Sequence, residues 1–81
     1  MHLEIITPEK KIFEGEVSSA TFPGADGTFQ ILNDHAPLVS LLKDGLVEYK
    51  LKELSEKILI TGGVVEVLKN KVILLADGIQ D

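Results

Sequence analysis

The residue types that do chemistry are sparse in this 81-residue sequence. Asp34, His35 and Ser40 are the types of a hydrolase triad. A triad needs three side chains converging from separate elements, with the serine raised on a sharp turn. Here Asp34 and His35 are sequence neighbours and no nucleophile elbow surrounds Ser40, so the grouping reads as incidental. His2 and His35 lie 33 positions apart without an i, i+4 partner, which is a weak metal pair. His35, in a turn before Ala36-Pro37, reads instead as a hydrogen-bonding residue at or near the surface. Glu14 and Glu16 are an acid/base pair by type. Two carboxylates on one side of a short strand are ordinarily a solvated face. Gly62-Gly63 lacks the third glycine and following helix of a dinucleotide loop, and no G-x-x-x-x-G-K-[ST] motif is present. Cysteine is absent, which excludes a disulfide framework, a thiolate zinc site, an iron–sulfur cluster and a cysteine nucleophile. No catalytic, cofactor-binding or metal site is expected, and binding or assembly is the remaining class of function.

Composition narrows the partners. Thirteen acidic residues stand against eight basic ones, for a net charge of −5, and every basic residue is a lysine. Nucleic acid is disfavoured, since phosphate and base recognition call for arginine forks and concentrated positive surface. With 44% hydrophobic and 26% charged residues the chain is globular in type, and its length suits a single domain over residues 1–81. The longest apolar run, Val72 to Ala76, is five residues, against the roughly 20 needed to cross a bilayer as a helix. His2 and Glu4 interrupt the opening residues, so no signal-peptide pattern is present.

The elements that must carry any function read as strands. His2–Thr7 alternates Leu3, Ile5 and Thr7 against His2, Glu4 and Ile6, and stops at Pro8, as a short edge strand would. Lys11–Glu14 and Glu16–Phe22 flank Gly15, a place for a kink or bulge. Pro23 to Gly27 is a turn cluster, Thr28–Leu32 is extended, and Asn33-Asp34 breaks it. Leu38–Leu42 runs apolar until Lys43-Asp44-Gly45. Val47, Tyr49 and Leu51 then alternate as a half-buried strand, while Leu51, Leu54 and Ile58, three and four apart, also suit an amphipathic helix over Glu48–Ile58. Lys57–Thr61, Val64–Lys69 and Lys71–Asp77 are strands separated by Gly62-Gly63 and Lys69-Asn70. The second break is the better hairpin turn, pairing Val65 and Val67 with Val72 and Leu74 on a buried face. Eight or nine short strands in this length imply an all-β fold, a sandwich or flattened barrel.

One stretch carries more than periodicity. Phe22-Pro23-Gly24-Ala25-Asp26-Gly27, continuing through Thr28 to Leu38, resembles the P-G-x-x-G-x-x-G-[IV]-L-x-x-H-A-P-L signature of the epsilon subunit of F-type ATP synthases. The opening LEIITPEKKIFEGEV, the KDGLVEY segment and the ITGGVVEVLKNKVILLAD ending are similar to the same subunit's N-terminal domain, in the same order, over nearly the whole chain. The resemblance implies a flattened antiparallel β-sandwich of about ten short strands. It implies a noncatalytic rotor subunit of the central stalk that packs on the gamma subunit and on the c-ring loops, and couples proton translocation to ATP synthesis. Such a subunit is peripheral to the cytoplasmic face of a bacterial inner membrane and not inserted. It also implies partner contacts at Thr7, Asp26, Gly27, Thr28, Phe29, Asp34 and His35. The segment Asp26 to His35 is expected at the bottom of the sandwich, with Thr28 near the c-ring and Thr7 and His35 on the gamma side.

The sequence departs from the family pattern in places. Gln30 replaces a common glycine, Asn33-Asp34 a common Pro-Gly, and Thr28 an acid found in some members. The chain stops at Asp81, so the two C-terminal helices that bind ATP and brake the enzyme in many relatives are expected to be absent, and with them ATP binding. The alternative function is a free-standing β-sandwich adaptor that takes an extended peptide along a sheet edge.

Overall fold

Two long strands organise the molecule. The computed structural model describes residues 1–80, so Asp81, the last residue of the expected 1–81 domain, lies outside them. Those residues form eight strands and no helix: β1 (His2–Ile6), β2 (Lys11–Glu16), β3 (Ser19–Gly24), β4 (Gly27–Leu32), β5 (Leu38–Leu51), β6 (Leu54–Leu68), β7 (Lys71–Ala76) and β8 (Ile79–Gln80). β5 and β6, of 14 and 15 residues, pair in one unbroken register from Leu38↔Val67 to Leu51↔Leu54. Lys52-Glu53 joins them. The proposed helix over Glu48–Ile58 is therefore the end of one strand, a turn and the start of the next. Period-two burial wins there: Val47, Tyr49 and Ile60 face inward, while Leu54 is 68% exposed.

Both long strands bend at mid-length, between the pairs Leu42↔Gly63 and Asp44↔Thr61. Gly62 and Gly63 sit at φ 88° and 152°, a region that strains any residue with a side chain. A Cβ on Gly63 would also lie 2.4 Å from the Leu75 carbonyl oxygen. The bend folds a single sheet, ordered β2-β1-β7-β6-β5-β3-β4 with β8 against β6, back over itself. One layer holds β2, β1 and β7 with the second half of β6 and the first half of β5; the other holds β4, β3, the remaining halves and β8. Counted as halves, the strands give the ten segments of the expected sandwich. Lys43-Asp44-Gly45 and Gly62-Gly63, read from sequence as breaks, are bends inside continuous strands.

Two further expectations change. β1 is not an edge strand: it lies between β2 and β7, antiparallel to the first and parallel to the second. Pro8 lies two residues beyond its last residue, Ile6, and so takes no bond from the ladder. β2 runs through Gly15 unbroken, and the irregularity falls instead between Ile5 and Ile6 against Phe13 and Lys11. The β6–β7 hairpin is as read. Lys69 and Asn70 take φ 50° and 60°, and Val65↔Leu74 and Val67↔Val72 pair with all four side chains buried. Two positive φ values suit the right-handed strand twist.

The core lies between the layers and collects alternate residues of nearly every strand, with Leu3, Ile5, Phe22, Ile31, Val47, Ile60, Val72 and Leu74 fully buried. Phe13 of β2 meets Tyr49 of β5 at 4.6 Å between centroids, closing the layers where no ladder joins them. Burial, and then nearby Glu56, pushes the Tyr49 phenol up.

Candidate functional site

The seven residues expected to meet partners fall at two ends of the sandwich. Thr7 caps the end of β1. Its N–H donates to the Lys10 carbonyl at 2.9 Å and its Oγ1 to the same oxygen at 3.1 Å, while the Lys10 N–H donates to Oγ1 at 3.3 Å. Thr7 is 9% exposed, so this turn is held from inside. The neighbouring row across the sheet is Ile6↔Leu75, Leu75↔Val64 and Val64↔Leu41. At its far side the Ala25 N–H donates to the Leu41 carbonyl at 3.0 Å. Thr7 and the β3–β4 turn therefore share an end, separated by the steps from β1 to β3 in the strand order, about 20 Å at roughly 4.8 Å per strand.

That turn is the pair Ala25-Asp26, closed by Gly24↔Gly27. A Cβ on Gly24 would come within 2.5 Å of the Gly27 carbonyl oxygen and 2.8 Å of the Phe29 ring. Glycine there lets the backbone pass under Phe29, whose ring packs 5.8 Å from that of Phe22. Asp26, Gly27 and Thr28 are exposed and Phe29 is half-buried. A shallow cleft runs from Asp26 and Phe29 to Val39 and Leu41.

Asp34 and His35 are elsewhere. β4 runs from Gly27 to Leu32, about 20 Å at roughly 3.3 Å per residue, and carries the chain to the other end. The expected grouping of Asp26 through His35 at one end is thus corrected, because a strand of that length separates its two halves. Asp34, at φ 61°, donates its N–H to Asn70 Oδ1 at 2.7 Å, and the His35 N–H donates to the Leu32 carbonyl at 3.1 Å. His35 Nδ1 lies 2.8 Å from the Ala36 carbonyl, and the Met1 amino group donates to Asn33 Oδ1 at 2.9 Å.

No triad forms from the hydrolase-type residues. The Ser40 hydroxyl donates to the Leu41 carbonyl at 3.3 Å, and His35 Nδ1 is turned to Ala36. Glu14 and Glu16 are not set up as an acid/base couple either, since each is engaged by neighbouring side chains on an exposed face. Glu14 meets Lys11 at 2.6 Å and His2 at 3.0 Å, and Glu16 meets His2 at 3.4 Å. The Lys11 ammonium, and next His2, lower the Glu14 carboxyl; Glu14, then Glu4, raise Lys11. His2 and His35 share no partner. A different group, His2, Glu4 and Glu14, offers three donor atoms within 4.8 Å of one another.

Sequence reading missed the outward row of β5. Val39 and Leu41 are 68% and 67% exposed, and Leu75, in line with Leu41 across the sheet, is 52% exposed. The signal was present: Leu38–Leu42 and Val72–Ala76 are apolar on both faces, where a half-buried strand alternates.

The folded sheet, its two hydrogen-bonded ends and the outward apolar row define a β-sandwich domain. Its relatives say which kind. The profile of the ATP synthase delta/epsilon chain β-sandwich domain matches residues 1–81. The chain is 49% identical over 79 residues to the ATP synthase epsilon chain of Chlorobium limicola, spanning 96% of this chain and 90% of that one. It is 47% identical to the ATP synthase epsilon chain of Nitratiruptor sp., again over 96% of this chain but 61% of that one. Among solved structures, a chain of the Tetrahymena thermophila mitochondrial ATP synthase central stalk and c-ring superposes with a TM-score of 0.83 at 24% identity, over 99% of this chain and 65% of that one. A chain of the Euglena gracilis mitochondrial ATP synthase gives 0.90 at 21%, over 96% and 51%. The chain belongs to the β-sandwich family of the ATP synthase delta/epsilon chain, a noncatalytic component of that complex.

Proposed function

We propose that this chain works in the central stalk of an F-type ATP synthase, joining the gamma subunit to the loops of the c-ring so that ion-driven rotation of the ring turns the shaft. The observation that carries this reading is the match to epsilon chains at up to 49% identity along almost the full length. The bent, continuous β5–β6 hairpin supports it physically. Load applied at one end passes to the other through paired backbone and close-packed side chains, which yield little. Asp26, Gly27, Thr28 and Phe29 form the c-ring end, with exposed polar groups suited to polar loops. The gamma side extends along the molecule from Thr7 to Asp34 and His35. The chain itself makes and breaks no bond, and it is peripheral on the cytoplasmic face of a bacterial inner membrane.

The division of labour is testable in the complex with gamma. His35→Ala should weaken gamma binding with the unfolding transition nearly unchanged, while Thr28→Trp should leave gamma binding intact and impair assembly with the c-ring. Unchanged gamma affinity in His35→Ala, or lost gamma affinity in Thr28→Trp, would contradict the assignment of the two surfaces.

A further inference from the structure

The outer face of β1 and β2 gathers donor atoms that the coupling role does not use. The register sets Glu4 opposite Glu14 and His2 opposite Glu16. His2 and Glu4 are two apart on β1, so all four side chains rise from one face. His2 Nε2 is 3.0 Å from Glu14 Oε2, and single donor atoms of His2, Glu4 and Glu14 all lie within 4.8 Å of one another. Carboxylates directly opposite each other on paired strands repel. Lys11 relieves this, with Nζ 3.0 Å from Glu4 Oε2 and 2.6 Å from Glu14 Oε1. The space between the two carboxylates is thus a seat for positive charge, held by an ammonium on an exposed and flexible stem.

Three features separate this face from an ordinary salt-bridged one. One donor is an imidazole nitrogen, which favours zinc-class ions over the hard cations that prefer oxygen. The other nitrogen of the same ring, Nδ1, lies 3.4 Å from Glu16 Oε2. A carboxylate in that position fixes the tautomer and orientation of metal-bound histidines. The donors stand on paired strands rather than a loop, and the Glu4 side chain is only 15% exposed, so their spacing is held by the ladder. Lys71, opposite His2 on β7, and the Met1 amino group, 3.6 Å from Glu16 Oε1, are the other cations beside the group. They weigh against an ion held by charge alone and leave the imidazole bond to provide the affinity.

We propose that His2, Glu4 and Glu14 form a binding site for a divalent transition-metal ion of the zinc class, with water completing the coordination. Glu16 orients His2, and Lys11 swings into solvent, at little cost because exposed ion pairs contribute little. The bound ion clips the edge strand β2 to β1.

The test is titration of the untagged full chain with ZnCl2 near neutral pH, followed by calorimetry and by thermal unfolding. Saturable one-to-one binding is expected, with an unfolding temperature that climbs with zinc concentration and no response to MgCl2 or CaCl2. Binding should fall away in acid as protons compete for the donors. His2→Ala and Glu14→Gln should each abolish it, Glu16→Gln should weaken it about tenfold, and Lys11→Met should tighten it by removing the competing ammonium. His35→Ala should leave it unchanged. No saturable binding at millimolar ZnCl2 would overturn the proposal, as would binding that survives both His2→Ala and Glu14→Gln or is lost in His35→Ala.

Discussion

Leu74 shows how much one side chain carries. It is fully buried, on β7 opposite Val65, and truncation leaves a cavity that paired strands cannot collapse to fill. Leu74→Ala should destabilise the fold by about 3 kcal/mol, read as a lowered urea midpoint with an unchanged slope. Leu3, Ile5, Val65, Val67, Val72 and Leu74 were all legible in sequence, because alternation by two assigns a face without reference to anything distant. The charged face was not. Glu14 and Glu16 read as solvated carboxylates, and only the β1–β2 register shows that Glu14 is shared by Lys11 and His2. The lowered Glu14 carboxyl contributes stability that is present above the ordinary carboxylate range and lost as pH falls through its depressed folded value. Raised Lys11 contributes stability below the ordinary lysine value, lost as pH rises through its raised folded value. Lys11→Met leaves Glu4 and Glu14 facing each other, so it should lower the unfolding temperature slightly near neutral pH. In strong acid, with both carboxylates protonated, variant and parent should converge. A gap that persists there would mean that Lys11 acts through packing.

At the scale of elements, the readable features were local and the misread ones were long-range. Lys69-Asn70 was recognisable as a hairpin turn because the residues that favour positive φ sit between two apolar runs. Gly62-Gly63 carries the same local signal, yet β6 continues through it, since the partner strand bends in step at Lys43 to Gly45. No local pattern distinguishes a turn that ends a strand from a bend that keeps its register. β1 was misplaced at an edge for the same reason: its parallel partner, β7, lies some 70 residues along the chain. The bend should also be the least tolerant point of the backbone. Gly63→Ala puts a methyl group against the Leu75 carbonyl at a positive φ, and should cost several kcal/mol, combining strain of about 1 to 3 kcal/mol with the clash. A Gly63→Ala protein whose urea midpoint matches the parent would show that the bend can relax.

Across the whole molecule, the single folded sheet ties one end, with Thr7 and Asp26 to Phe29, to the other, with Asp34 and His35. The sequence signature spans Asp26 to His35 but could not separate its two halves, because a motif is read as continuous whereas β4 carries them apart. A coupling subunit benefits from that separation, which lets one rigid body present different surfaces to two partners. The most direct measurement is co-expression with the gamma subunit from the same source, followed by size exclusion with light scattering. A stable one-to-one complex is the expected result. A monomer that ignores gamma while unfolding cooperatively would leave the β-sandwich standing and contradict the rotor role.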